Sequence, residues 1–441
     1  MKREISPVVL RSSACTDASS RSLRFRFFAV LACLLVVSLS AWSQTAPGSK
    51  PRLTLDEFFN SVSITSVQLS PDGHMVAIGT ERADWDAQRF RKDLWLWRDR
   101  EEKLMPLTQS GHDWSPEWSP DGKWIAFLSD RKVESESPEK SGSGEEEKKE
   151  VTHLYVLPIG GGESIALTRG EEEVHTFAWA PDSASLYFST RLPWSKKKKD
   201  DYKEAWKDTI RYREQERGDV VYRIGIADAL ARRAALGGEE AKKGPENKGE
   251  ETGETPGAMP IVSSPYRIKN LAISPGGRQV AFLTDSVSQR FEGLEGIELY
   301  VADTTSPGEN NRAQQLTRNQ AVETRLKWAP DGKSVLFNVE QGSAEGSYAD
   351  VQPRVYSVDI ATGKVSRWAT QFNGAVTHYD LDNTGALLAP GMLGTTNALY
   401  MQLSPQAEFR KLDGWLGSYA AVATARNSPR IAFTYSEVDK P

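Results

Sequence analysis

An all-β fold, a β-propeller of four-stranded blades, is what this 441-residue sequence predicts, and three observations predict it. A strand, tight turn, strand unit recurs from one end of the chain to the other. Most copies are followed by an aromatic-aliphatic run, and three close on a Leu-Thr pair. Successive turns also stand one blade apart. Four short alternating strands per repeat with Gly-rich turns between them are the sequence mark of a propeller blade.

The turn unit is clearest from Trp118-Ser119-Pro120-Asp121-Gly122 through Trp124-Ile125-Ala126-Phe127 to Arg131. Pro120 presets φ for the second position of a type I turn, Asp121 tolerates the third, and Gly122 lets the chain re-enter a strand. Trp118, Ile125 and Phe127 alternate as a half-buried strand requires. Close copies are Ser70-Pro71-Asp72-Gly73 and Ala329-Pro330-Asp331-Gly332. Degenerate copies are Ala180-Pro181-Asp182-Ser183, Ser274-Pro275-Gly276-Gly277, Asp382-Asn383-Thr384-Gly385 and Asn427-Ser428-Pro429-Arg430.

Third strands read as Asp93–Trp97, His153–Leu157, Glu298–Ala302 and Arg354–Val358, and fourth strands end at Leu107-Thr108, Leu167-Thr168 and Leu316-Thr317. Pro71 to Pro120 is 49 residues, Pro120 to Pro181 is 61 and Pro275 to Pro330 is 55, all blade-sized. Pro181 to Pro275 is 94, and one clear strand, Val220–Ile224, stands between them. That favours an insertion over an extra blade. The count is then seven blades, starting near residues 62, 112, 174, 266, 322, 375 and 420, with the last incomplete. Trp118, Phe127, Trp179, Phe188, Phe282, Trp328 and Phe337 fall at equivalent positions and are expected to pack between blades.

Composition separates the first 43 residues from the rest. Arg21, Arg24 and Arg26 precede an uncharged run from Phe27 to Leu39, followed by small residues at Ala41 and Ser43. This is a positive n-region, a short h-region and a cleavage signal. The expectation is a signal peptide over 1–43, a lead-in over 44–61 and a propeller over 62–441, exported to the periplasm or secreted and off the membrane once the leader is cut. Thr54-Leu55-Asp56-Glu57 is a capping box opening a short helix through Phe59. Both cysteines, Cys15 and Cys33, lie in the leader, so no disulfide holds the mature fold. The leader carries six basic and two acidic residues, which takes the net charge from −5 to −9 on its removal. An acidic domain is a poor nucleic-acid partner.

Two stretches interrupt the repeats. Residues 132–150 are Ser, Glu, Lys and Gly without apolar anchors and read as a disordered loop between the second and third strands of blade two. Residues 192–260 hold Lys196–Lys199, a helix expected from Asp201 to Glu216, the strand Val220–Ile224 and a polar tract from Gly237 to Gly257. The lysine run beside Asp200, Asp201 and Glu204 reads as a solvated helix approach and not as a phosphate site.

No G-x-S-x-G occurs, and a nucleophile elbow needs those glycines. His74, His112, His153, His175 and His378 fall beside strands or turns, without metal spacing, and no Gly-rich loop precedes a helix. No catalytic residue, metal or cofactor is expected of this chain.

Leu53–Phe59, Gln68–Gly73, Asp84-Trp85-Asp86, Leu94-Trp95-Leu96, Ser115–Arg131, Leu154–Thr168 and Arg211–Asp219 together resemble the prolyl oligopeptidase (S9) family of serine peptidases, in its acylaminoacyl-peptidase and dipeptidyl-peptidase branch. The blade motif by itself also resembles free-standing TolB-like (PD40) binding propellers. The peptidase resemblance implies a WD40-like propeller that gates peptide substrates for an α/β-hydrolase domain, and that domain is absent from the sequence. It also implies a propeller carboxylate that holds a substrate's amino terminus, for which Glu214 and Glu216 are the candidates. The consecutive acidic pair of the family motif is missing here, and from the residues alone both glutamates read as a solvated helix end.

Overall fold

The computed structural model describes residues 54–131, 150–169, 172–207, 209, 217–236, 255, 257–285, 296–308, 311–319, 321–342, 352–414 and 416–437. Contacts divide the chain into two units, Met1–Phe59 and Asn60–Pro441. In the first, α1 (Leu55–Phe59) opens on the expected box: Glu57 N–H donates to Thr54 Oγ1 at 3.1 Å and Thr54 N–H to Glu57 Oε2 at 2.9 Å.

The second unit is a propeller. Blade one is β1 (Ser63–Leu69), β2 (Met75–Asp84), β3 (Arg89–Arg98) and β4 (Lys103–Pro106), paired in that order. Blade two is β5 (Asp113–Trp118), β6 (Trp124–Ser129), β7 (His153–Pro158) and β8 (Ile165–Ala166). Blade three is β9 (Val174–Trp179), β10 (Ser185–Arg191), β11 (Asp219–Gly225) and β12 (Met259–Ser263). Blade four is β13 (Arg267–Ile273), β14 (Gln279–Asp285), β15 (Leu299–Asp303) and β16 (Gln314–Gln315). Blade five is β17 (Val322–Trp328), β18 (Ser334–Gln341), β19 (Arg354–Asp359) and β20 (Val365–Arg367). Blade six is β21 (Asp380–Leu381), β22 (Leu387–Leu393), β23 (Thr396–Gln402) and β24 (Arg410–Lys411).

The count corrects the expectation of seven: six blades have four strands, and β25 (Ser418–Thr424) with β26 (Ile431–Ser436) forms a separate two-stranded sheet. The last turn unit builds one hairpin and no blade. That hairpin lies between blade six and blade one, with β25 touching β22, β23 and β1.

The repeated turn explains its own composition. Gly122 N–H donates to Ser119 O at 2.9 Å, closing the turn with Gly122 at φ +72°. Asp121 Oδ1 accepts from Ser119 Oγ at 2.6 Å and from Lys123 N at 3.1 Å, while Trp124 N–H reaches Ser119 Oγ at 3.0 Å. Ser70, Asp72 and Met75 repeat the arrangement. Serine and aspartate thus take up the main-chain donors that the turn leaves unpaired.

The core lies between the blades. Trp118 and Phe127 pack with Leu94 and Leu96 of blade one, Trp179 and Phe188 with Leu128 and Leu154 of blade two, and Trp328 and Phe337 with Leu283 and Leu299 of blade four. Phe282 packs with Tyr187 and Val221 of blade three. These are the residues the repeat nominated. Within blades two to five the same second-strand position holds a Phe stacked on a third-strand Tyr, at centroid distances from 5.6 to 6.0 Å.

The long span in blade three is an insertion into its own sheet, because Val220–Ile224 lies in β11, the blade's third strand. The chain leaves β10 through α2 (Lys196–Trp206) and leaves β11 through α3 (Ile226–Leu236) before returning as β12. The helix expected over Asp201–Glu216 is therefore corrected to Lys196–Trp206. Lys207 ends it with φ +52° and its N–H on Lys203 O at 2.8 Å. An eighth blade from 192–260 is thereby excluded. The leader with Cys15 and Cys33, the segment 132–149 and most of the Gly237–Gly257 tract lie outside the described residues.

Candidate functional site

The first strands of the blades touch in succession around an axis: β1 meets β5, β5 meets β9, β9 meets β13, β13 meets β17, β21 meets β25, and β25 returns to β1. Several carry a bulge at one level, between Trp114 and Glu117, between Thr324 and Lys327, and between Tyr419 and Val422. Ser115 and Arg325 take positive φ there, at +53° each, and the extra residue re-aims the side chains that follow. Those side chains are Glu117 in blade two and Lys327 in blade five. Asp380 stands at the same place in blade six.

Lys327 Nζ contacts Asp380 Oδ1, and Asp380 Oδ2 accepts from Thr424 N–H at 2.7 Å and Thr424 Oγ1 at 2.9 Å. Tyr379 OH donates to the carbonyl of Arg325. Burial pushes Glu117 up to about 7, with Lys327 pulling it back. Burial also pulls Lys327 down to about 8, with Glu117 opposing. Blades three and four stand between these two residues on one side, and blade six, the hairpin and blade one on the other. Their charges therefore meet across the axis. Lys327 still leaves 44% of its side chain open although protein surrounds it, as a group facing an enclosed lumen does. His378 is held at about 3 by burial and by the positive charges of Arg325 and Lys327, so it stays neutral.

Chemically, this ring can recognise charge and polarity along the axis. Nucleophilic catalysis needs a base poised on a hydroxyl, and the described histidines are otherwise engaged. His74 Nδ1 meets Asp99 at 2.7 Å and His175 Nδ1 meets Asp219 at 2.6 Å. His112 Nδ1 meets Asp130 at 2.7 Å, and Arg89 stands 2.6 Å from its Nε2. His153 is buried and driven down to about 4, and its nearest hydroxyl, Thr168 Oγ1, lies 3.4 Å away. His112, Asp130 and Glu150 bring three ligand atoms within 4.8 Å of one another, but the Arg89 guanidinium on the histidine's second nitrogen opposes a cation there.

Glu214 and Glu216 lie outside the described residues, so no geometry attaches to them. The axial charges escaped the sequence reading. One signal could have found them: aligned on the turn unit, the residue before the strand-ending position is Ala178 in blade three and Ala272 in blade four. It is Glu117, Lys327 and Asp380 in blades two, five and six.

No family model matches the chain. It is 26% identical over 144 residues to a peptidase of Bacillus subtilis, YuxL, covering 32% of this chain and 20% of that protein. It is 22% identical over 350 residues to dipeptidyl-peptidase 5 of Porphyromonas gingivalis, covering 77% of this chain and 46% of that protein. The chain thus spans less than half the length of either relative. Among solved structures, the β-propeller domain of the Trilobed protease from Pyrococcus furiosus superposes with TM-score 0.51 and 11% identity over 86% of this chain and 92% of that one. Pyrococcus horikoshii acylaminoacyl peptidase superposes with TM-score 0.53 and 11% identity over 86% of this chain and 50% of that one. At such identity these likenesses concern the fold, and the kinship in sequence comes from the two peptidases. Taken with the blade repeat, they place this chain among the propeller portions of prolyl oligopeptidase (S9) family serine peptidases.

Proposed function

We propose that this chain is the substrate-gating propeller of an exported serine peptidase acting on oligopeptides or aminoacyl-peptides, with an α/β-hydrolase domain as its catalytic partner. The observation that carries the gating role is the axial ring, where Glu117 faces Lys327 and Asp380 across the lumen. A constriction of opposed charges passes a short, flexible polar chain more readily than a bulky or folded one. The propeller's contribution is then selection, and bond cleavage belongs to the partner domain.

The test uses the polypeptide encoded by the reading frame that contains these residues. It is expected to hydrolyse a chromogenic tripeptide, to be labelled by a fluorophosphonate, and to be secreted. Glu117→Ala with Lys327→Ala should raise its rate on long unfolded casein relative to the tripeptide. An unchanged ratio would remove the gating role. A frame without any hydrolase domain, or one that fluorophosphonate leaves unlabelled, would return the chain to the TolB-like reading of a free-standing protein-binding propeller. The 441-residue chain by itself is expected to turn over neither peptide nor ester, because acyl transfer needs an activated nucleophile and preorganised oxyanion donors.

A further inference from the structure

We propose that the N-terminus of α2, in the insertion of blade three, binds a peptide carboxylate, a reading that rests on the peptidase assignment above. The helix runs eleven residues from Lys196, with Ser195 capping it by accepting from Lys198 N–H at 3.3 Å. Acidic residues ordinarily occupy a helix's first turn, where they offset the positive end of the dipole. Here the first turn has none, and the sequence places Lys196-Lys197-Lys198-Lys199 there instead. Positive charge added to a positive helix end costs stability unless an anion joins it.

A second observation points to that anion. Trp194, immediately before the cap, is 8% exposed, and its indole Nε1–H is buried without a partner. The ring stands against the helix, with Lys198 Nζ 5.0 Å and the Tyr202 ring 5.2 Å from its centroid. The Arg217 guanidinium also lies over this indole, at 5.0 Å. Arg217 donates through Nη2 to Glu172 at 2.6 Å and through Nη1 to Leu192 O at 2.5 Å, while its Nε–H is buried and unpaired. Two buried donors around one aromatic ring thus lack an acceptor, in a protein class where buried donors are nearly always satisfied.

An oxyanion supplies what is missing. Glu172 already matches the charge of Arg217, and Lys198 lies over the ring as an additional positive charge. A carboxylate brings one negative charge and two oxygens to two donors, whereas a phosphate brings a second charge that the unpaired donors do not call for. In a chain that presents peptides to a hydrolase, the carboxylate in question is a peptide's C-terminus.

The probes are acetyl-tetraalanine as the free acid, the same peptide as its C-terminal amide, and inorganic phosphate, titrated calorimetrically into the 441-residue protein. The acid is expected to bind about tenfold tighter than the amide, as charge-assisted hydrogen bonds imply. Trp194→Phe keeps the ring and removes the donor, and Lys198→Gln removes an exposed charge that folding does not need. Each should weaken the acid severalfold and leave the amide unchanged. Equal binding of acid and amide, or no binding of either, overturns the site. So does undiminished acid binding by Lys198→Gln, even if Trp194→Phe misfolds. Binding of phosphate alone would overturn the peptide class. Hydrolysis of the tripeptide by the longer polypeptide is read separately. Acid-amide equality beside active hydrolysis removes this site only, and absent hydrolysis removes the peptidase reading.

Discussion

Three tryptophans set the energetics at the scale of single residues. Trp118, Trp179 and Trp328 hold one position in three first strands, and each indole donates to a carbonyl of the preceding blade: Gln68 O at 3.1 Å, Glu117 O at 3.1 Å and Ala272 O at 3.0 Å. Trp328→Phe keeps most of the buried area and loses this bond, so urea unfolding should show a loss of about 1 kcal/mol. Thr168 accepts from Leu154 N–H at 2.9 Å, and Thr108 and Thr317 repeat the contact at Leu94 and Leu299. Thr168→Val strands a buried donor and should cost about 1–3 kcal/mol. Glu323 gives the residue scale its pH dependence. Burial raises its carboxyl to about 8, helped by nearby Glu298, so the folded state keeps the proton that the unfolded state releases near pH 4.3. Stability from this group is full below that value and is lost as pH rises to about 8. Melting temperatures of Glu323→Gln should therefore gain on the native protein between pH 5 and pH 8. The turn and the tryptophans were legible in the sequence because serine, aspartate, glycine and indole act through near neighbours or strict periodicity. Glu117 and Glu323 were not, since the charge facing Glu117 belongs to Lys327, two hundred positions away, and no local pattern announces that meeting.

At the scale of elements, the start of each third strand joins its blade to the next. Asp93 Oδ1 accepts from Gly111 N–H at 2.9 Å, Asp219 Oδ2 from Ile268 N–H at 2.7 Å, and Glu298 Oε1 from Asn319 N–H at 2.9 Å. Arg354 donates to Gly374 O, and Asn397 bonds both main-chain groups of Tyr419 at 2.9 and 3.0 Å. One job is thus done by Asp, Glu, Arg and Asn, which is why the sequence pattern concealed it. Asn397→Ala should cost about 2 kcal/mol by urea unfolding, with both bonds to β25 lost. The helix of blade three shows a different obstacle. Its end at Lys207 has neither Gly nor Pro to mark it, so the sequence reading carried the helix too far toward Glu216.

At the scale of the whole molecule, the hairpin completes the circuit of propeller contacts. Asn427 N–H reaches Pro71 O at 2.8 Å, and Arg430 binds Gly73 O at 3.1 Å and Asp99. Burial works against ionisation of Asp99, but hydrogen bonds from Arg430 and His74 outweigh it and hold the carboxyl at about 2. Its folded value is depressed, so its stabilisation is present above about pH 4 and is lost as pH falls through 2. Thermal melts of Asp99→Asn should lack that acid dependence. The repeat length made the ring legible in the sequence, but the shape of its closure depended on how many strands the last repeat could form. The buried contact there is thin: Leu69, Ala423 and Ala425, flanked by Val76 and Ala432, against the Phe, Tyr and Trp layers between other blades. Amides of β25 and β1 should therefore exchange with deuterium sooner than those of β10 or β14. A wall with one weak seam breathes sideways, and a peptide too wide for the axis could enter there without any other blade parting from its neighbour.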